Sequence, residues 1–88
     1  SDLAAYEPGT LDFDEAELEY REAAVRENFL MAFHQNMERL TNAQVSRDDA
    51  VRYVASKLIV ATVVVDGTLD REALGRFVLE ASDCYLED

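Results

Sequence analysis

The chain has 88 residues, of which 49% are hydrophobic and 31% are charged; this length holds one domain, and this composition is typical of a globular protein. The net charge is −11 and no cluster of basic residues occurs, which argues against direct binding to nucleic acid, because nothing would displace the counterions of the phosphates. No apolar run approaches the ~18 residues of a membrane span, and no signal peptide is recognisable. We therefore expect a cytoplasmic protein that does not contact membranes.

The negative charge is concentrated at the two ends of the chain. Residues 1–22 carry eight acidic side chains and one arginine, a net charge of −7. Residues 23–78 carry seven acidic and seven basic side chains and are neutral, whereas residues 79–88 carry a net charge of −4. Such an asymmetry is typical of an interaction surface.

Residues 1–11 contain Pro8-Gly9 and no hydrophobic periodicity, so we predict a flexible N-terminal arm there and a single helical domain over residues 12–88. A first helix is predicted from about Phe13 to Leu40. Asp12 and Glu15 have the spacing of a capping pair at its start. The pairs Glu17–Arg21 and Glu22–Arg26 have the i,i+4 spacing that supports a helix.

A second helix is predicted to begin at Ser46, which can cap it through its hydroxyl. The β-branched run over residues 58–65 is compatible with a strand, but the helical periodicity enters it unbroken, so we predict a helix. Gly67 then provides a stop and Thr68 an N-cap for a third helix. Gly75 lies inside this third helix, where it costs about 1 kcal/mol relative to alanine and is interpreted as a site of close packing.

These elements predict an all-α fold, a small three-helix bundle with a long first helix that overhangs the other two. The predicted core consists of the apolar positions at helical spacing: Phe29, Phe33, Met37, Val51, Val54, Leu58, Ile59, Leu74, Phe77 and Val78. The overhang follows from length, since the first helix would span ~42 Å and the shorter ones ~27 Å.

The core-facing stripe of the first helix changes character along its length. Phe29, Phe33 and Met37 lie on one stripe, and the same stripe carries Glu22, Glu19 and Glu15 toward the N-terminus. Because unpaired buried carboxylates are very costly, we expect the helix to leave the core near Val25. Beyond that point it presents an acidic ridge, with Leu18 on one side and Ala16, Tyr20 and Ala23 on the other.

Four interpretations of this ridge remain open. The simplest is a solvent-exposed helix end without a binding role. The others are a homodimer built from Leu18, Tyr20, Ala24 and Val25 of two overhanging helices, a docking surface for a protein with a basic groove, and a nucleic-acid mimic whose carboxylates imitate phosphates.

No catalytic motif is present. The three glycines are isolated, so no phosphate-binding loop exists, and His34 and Cys84 are the only histidine and cysteine. We expect no cofactor, no metal site and no enzymatic activity. His34 is interpreted as a packing or surface residue.

The sequence thus predicts a non-enzymatic, acidic protein-binding module that acts through the N-terminal half of its first helix. The partner would carry a basic surface, and inhibition of a nucleic-acid-handling protein is one form of the hypothesis. The alternatives are a self-assembling structural subunit and a nucleic-acid mimic. The predicted binding residues combine carboxylates with two tyrosine anchors: Tyr6, Asp12, Asp14, Glu15, Glu19, Tyr20 and Glu22.

Overall fold

A computed structural model describes residues 11–65, 67 and 69–86, with side chains from residue 15 onward. It contains three helices, α1 (Leu11–Asn42), α2 (Arg47–Val65) and α3 (Arg71–Asp83), and no strand in the part of the chain described. The predicted all-α three-helix bundle is confirmed. The run over residues 58–65 is helical, so the strand alternative is excluded there.

The core lies where all three helices meet. Its buried side chains come from the C-terminal half of α1, the first half of α2 and the inner face of α3: Phe29, Phe33, Met37, Ala50, Val51, Val54, Ala73, Leu74, Phe77 and Ala81. Leu58 and Val78 pack against this cluster but are only partly buried. Ile59 was predicted to lie in the core, and this was wrong. It is half-buried, because it lies about 100° around α2 from Leu58 and so points away from the cluster.

α1 ends in a Schellman motif that reverses the chain into α2. The amide of Val45 donates to the carbonyl of Leu40 at 3.0 Å, and the amide of Gln44 donates to that of Thr41 at 3.0 Å. Gln44 has a φ of 65°, the left-handed conformation that this motif requires. The Ser46 hydroxyl then accepts from the amide of Asp49 at 3.3 Å, so the predicted cap of α2 is confirmed.

α3 begins later than predicted. Its N-cap is Asp70, not Thr68, and the Asp70 carboxylate accepts from the amide of Ala73 at 2.7 Å. An aspartate satisfies a free amide of the first turn and also favours the positive end of the helix dipole. A Cβ added to Gly75 would meet no atom within 4 Å. Close packing therefore does not explain why this position is a glycine.

α1 is much longer than its neighbours. Its 32 residues span about 48 Å, whereas the 19 of α2 span about 28 Å. α2 runs back along α1, so that Leu58 and Val65 line the same groove as Phe29 and Val25. The molecule is accordingly elongated, 51 × 21 × 20 Å, and the N-terminal half of α1 extends past the core.

Candidate interaction surfaces

The acidic half of α1, defined here as residues 15–24, has little packed against it. Glu15 and Glu19 are exposed, although they continue the stripe that carries Phe33 in the core. Leu18 and Tyr20 are each about half exposed, at 52% and 53%. Side chains on opposite sides of the carboxylates are therefore available to a partner.

Three of the predicted binding residues have no described side chain. Asp12 and Asp14 belong to the first turn of α1, but their side chains lie outside the described residues, and Tyr6 lies outside them altogether. Of the remaining four, Glu15, Glu19 and Tyr20 share the acidic half of α1 and are exposed.

Glu22, the fourth, has an intramolecular role. Its Oε1 accepts a hydrogen bond of 2.9 Å from Nη2 of Arg76 in α3, and its side chain is 35% exposed. The carboxylates are thus of two kinds: Glu22 ties α1 to α3, whereas Glu15 and Glu19 lie beyond that tie. A surface that recruits a partner by charge would use the latter pair.

A second ion pair lies one turn further along. Arg26 donates from Nε to Oε1 of Glu80 at 2.9 Å, and its Nη2 donates to Oε2. This two-pronged geometry is the preferred one for guanidinium and carboxylate. The hydrogen bond from Arg26 lowers the pKa of the Glu80 carboxyl, and the same bond and the charge of Glu80 raise the pKa of Arg26. Their i,i+4 spacing had suggested that Glu22 and Arg26 pair with each other within α1. Each residue instead forms an ion pair with a residue of α3.

A groove between α1 and the end of α3 contains the single histidine. A hydrogen bond of 2.6 Å joins His34 Nδ1 to Tyr85 Oη, and the two rings stack with centroids 6.4 Å apart. Tyr85 also stacks on Phe33, and burial is the main cause that raises the pKa of its phenol. Glu38 lies 3.6 Å from the other ring nitrogen of His34. The contacts hold the chain just after α3 against α1.

The same groove also includes Glu80 and the exposed Cys84. The Glu80 carboxylate is engaged by Arg26. Within the described part of the chain, no three side chains among histidine, cysteine, aspartate and glutamate come together as a metal site would require.

An apolar surface on the C-terminal half of α2 was not predicted. Val60 is 63% exposed, Val64 78% and Val65 86%. Val65 has the same angular position as the core residue Val54, but at its level the core has ended. A helix segment that is apolar on all sides is normally buried, so this surface is the second candidate for a contact with another molecule.

Comparisons with protein-family models, with curated proteins and with solved structures found no match to this chain. Among the helices described, none is both long enough and apolar enough to cross a membrane. The case for function therefore depends on the two surfaces themselves.

The sequence signals for the two surfaces differ in strength. The row Glu15, Glu19, Glu22 was visible because carboxylates replaced apolar residues on a helical stripe. The exposure of the valines was not predicted, since a run of β-branched residues is expected to be buried. A signal did exist: the chain contains no acidic residue between Ala50 and Val65, which is exceptional in a protein of net charge −11.

Proposed function

We propose that the chain is a non-enzymatic binding module that docks onto a basic surface of another protein through the acidic half of α1. The observation that carries the proposal is the exposure of Glu15 and Glu19 on the stripe that further along forms the core. Ordering a helix of this length costs conformational entropy, yet Glu15 and Glu19 lie beyond the ion pair of Glu22 with Arg76, which joins α1 to α3.

The chemistry of the acidic half suits a helix-in-groove contact. Leu18 and Tyr20 supply apolar area, and tyrosine is enriched among the residues that dominate binding energy. Glu15 and Glu19 lie about 6 Å apart along the helix axis and present charge that would accelerate encounter with a basic partner. Asp12, Asp14 and Tyr6 would extend this surface toward the N-terminus.

A narrower form of the proposal is inhibition of a nucleic-acid-handling protein. Carboxylates one turn apart, in a segment of net charge −7, would occupy a channel that normally binds phosphates. The proposal places the protein in the cytoplasm, where its exposed thiol at Cys84 would stay reduced.

The test is affinity capture from the native cells with three forms of the full chain. Glu15→Lys/Glu19→Lys reverses the charge of the acidic half. Glu27→Lys/Asp83→Lys makes the same change of net charge at two exposed sites outside the acidic half. Wild type and the second variant should recover the same proteins, and the first variant should lose them. Recovery of the same proteins by all three forms would show that the acidic half is only a solvent-exposed helix end.

The captured protein then decides between simple docking and mimicry. Its association rate with this chain should fall as salt rises in either case, because the encounter is steered by charge. A mimic should also displace duplex DNA or RNA from that protein competitively. Simultaneous binding of both would exclude mimicry while leaving docking intact.

A further inference from the structure

The outer face of α2 carries a seam of exposed side chains. It consists of Tyr53, Lys57, Val60 and Val64, separated by four, three and four residues. This is the spacing of coiled-coil contact positions. Tyr53, Val60 and Val64 are more than half exposed. The Lys57 ammonium lies 5.3 Å from the centroid of the Tyr53 ring and donates to its hydroxyl at 3.1 Å, which leaves the stem of Lys57 in the seam.

A shallow depression on this face has the composition of a coiled-coil hole. Its lining includes Tyr53, Ser56, Lys57 and Val60, which are residues i, i+3, i+4 and i+7 of one helix. Four residues at this spacing receive one side chain from a facing helix in knobs-into-holes packing. Ala61 completes the lining.

Two features point to a second copy of the chain as the occupant. The spacing four, three, four reads the same in both directions, so the contact positions of two α2 helices coincide when the helices pair antiparallel about a two-fold axis. In addition, α2 has no acidic residue from Ala50 onward. Two copies, each of net charge −11, can meet on this face without opposing carboxylates.

We propose that the chain forms an antiparallel homodimer through the outer face of α2. The two-fold axis passes between residues 57 and 60, so that Val60 of each copy enters the depression of the other and lies next to Lys57 of the second copy. Tyr53 then lies next to Val64 of the second copy. A seam of three helical turns buries less area than a standard protein interface, so we expect a dissociation constant in the micromolar range.

This dimer goes beyond the proposed docking function and does not depend on it, because it uses a different helix. It also differs from a dimer through the acidic half of α1. The net charge of each copy opposes association at long range, and salt screens that repulsion, so the dimer should tighten as salt rises.

The test is sedimentation equilibrium of the full chain under reducing conditions. Protein concentrations of about 1 to 100 micromolar bracket the dissociation constant expected for such a small interface. Val60→Lys places a lysine opposite Lys57 of the second copy and should weaken dimerisation at least tenfold. Val60→Glu places a carboxylate opposite the same lysine and should weaken it much less. Because Val60 is 63% exposed, both variants should keep the helical circular dichroism of the wild type.

Leu79→Lys is the matched control. Leu79 is 65% exposed on α3, and the substitution changes the net charge as Val60→Lys does, so it should leave the dissociation constant unchanged.

The proposal is overturned if the wild type remains a monomer at the highest concentration in high salt, if Val60→Lys associates like the wild type, or if Leu79→Lys weakens association equally. Equal loss with Val60→Lys and Val60→Glu would overturn the antiparallel register. Loss on Leu18→Lys but not on Val60→Lys would place the dimer on α1.

Discussion

The two halves of α1 have the same helical backbone but different surroundings. In the C-terminal half, Phe29, Phe33 and Met37 are almost fully buried between α2 and α3. In the N-terminal half, the same stripe holds Glu15 and Glu19 in solvent, and the half ends at the ion pair between Glu22 and Arg76. One helix therefore serves stability over one half and is available for recognition over the other. This difference between the two halves predicts how much each of the following substitutions changes the stability.

The largest expected effect comes from truncating the packed half. Phe33 is fully buried and contacts the rings of Phe29 and Tyr85, so Phe33→Ala should cost about 3–5 kcal/mol of unfolding free energy. This is enough to unfold a domain of marginal stability. Leu18→Ala, in the exposed half, should change the stability by less than about 0.5 kcal/mol. Urea denaturation followed by circular dichroism measures both, and equal losses would contradict the division of α1.

A smaller effect is expected at the start of α3, which holds the packed half from one side. Asp70→Ala removes the cap of the Ala73 amide and should cost about 1 kcal/mol. Asp70→Asn keeps an acceptor and should restore most of that loss. If Asp70→Ala is as stable as the wild type in thermal unfolding, α3 does not depend on this cap.

Gly75 offers a change of opposite sign on the same helix. Nothing lies within 4 Å of a Cβ added there, and alanine is favoured over glycine in a helix by about 0.8–1 kcal/mol. Gly75→Ala should therefore raise the midpoint of urea denaturation. A destabilised Gly75→Ala would contradict the open space beside this residue.

The smallest effect concerns the ion pair between Arg26 and Glu80, one turn along α1 from the pair between Glu22 and Arg76. The hydrogen bond from Arg26 lowers the pKa of the Glu80 carboxyl, so the folded chain binds fewer protons than the unfolded chain near the ordinary pKa of glutamate. The stabilisation is present above that pKa, about 4.3, and is lost as the pH falls through the lower folded value. Arg26→Gln should make the acid loss of stability shallower than in the wild type; an unchanged slope between about pH 5 and 3 would show that the pair contributes nothing.

The sequence predicted the packed half well because its signals are local. Periodicity identified Phe29, Phe33 and Met37, and the Ser46 cap followed from one side chain and its position. Helical periodicity also favoured a helix for residues 58–65, and the structure has a helix there.

Most of the errors concern relations between helices. Periodicity places Ile59 beside an apolar face, but it does not show that this side of α2 points away from the core cluster. Glu22 and Arg26 have the spacing of a pair within one helix, yet α3 lies close enough to bond each of them. The N-cap of α3 was assigned to Thr68 because a glycine precedes it, whereas the chain forms its first helical turn after Asp70.

The most direct test of the division of α1 is amide hydrogen exchange of the isolated chain, resolved along this helix. Opening of a segment requires only the free energy that its own packing supplies. The amides of residues 26–40 should exchange with free energies close to that of global unfolding, whereas those of residues 15–24 should exchange through local fraying and much faster. Uniform, global protection from residue 15 to residue 40 would contradict the account, because it would mean that the acidic half is held by packing as firmly as the core.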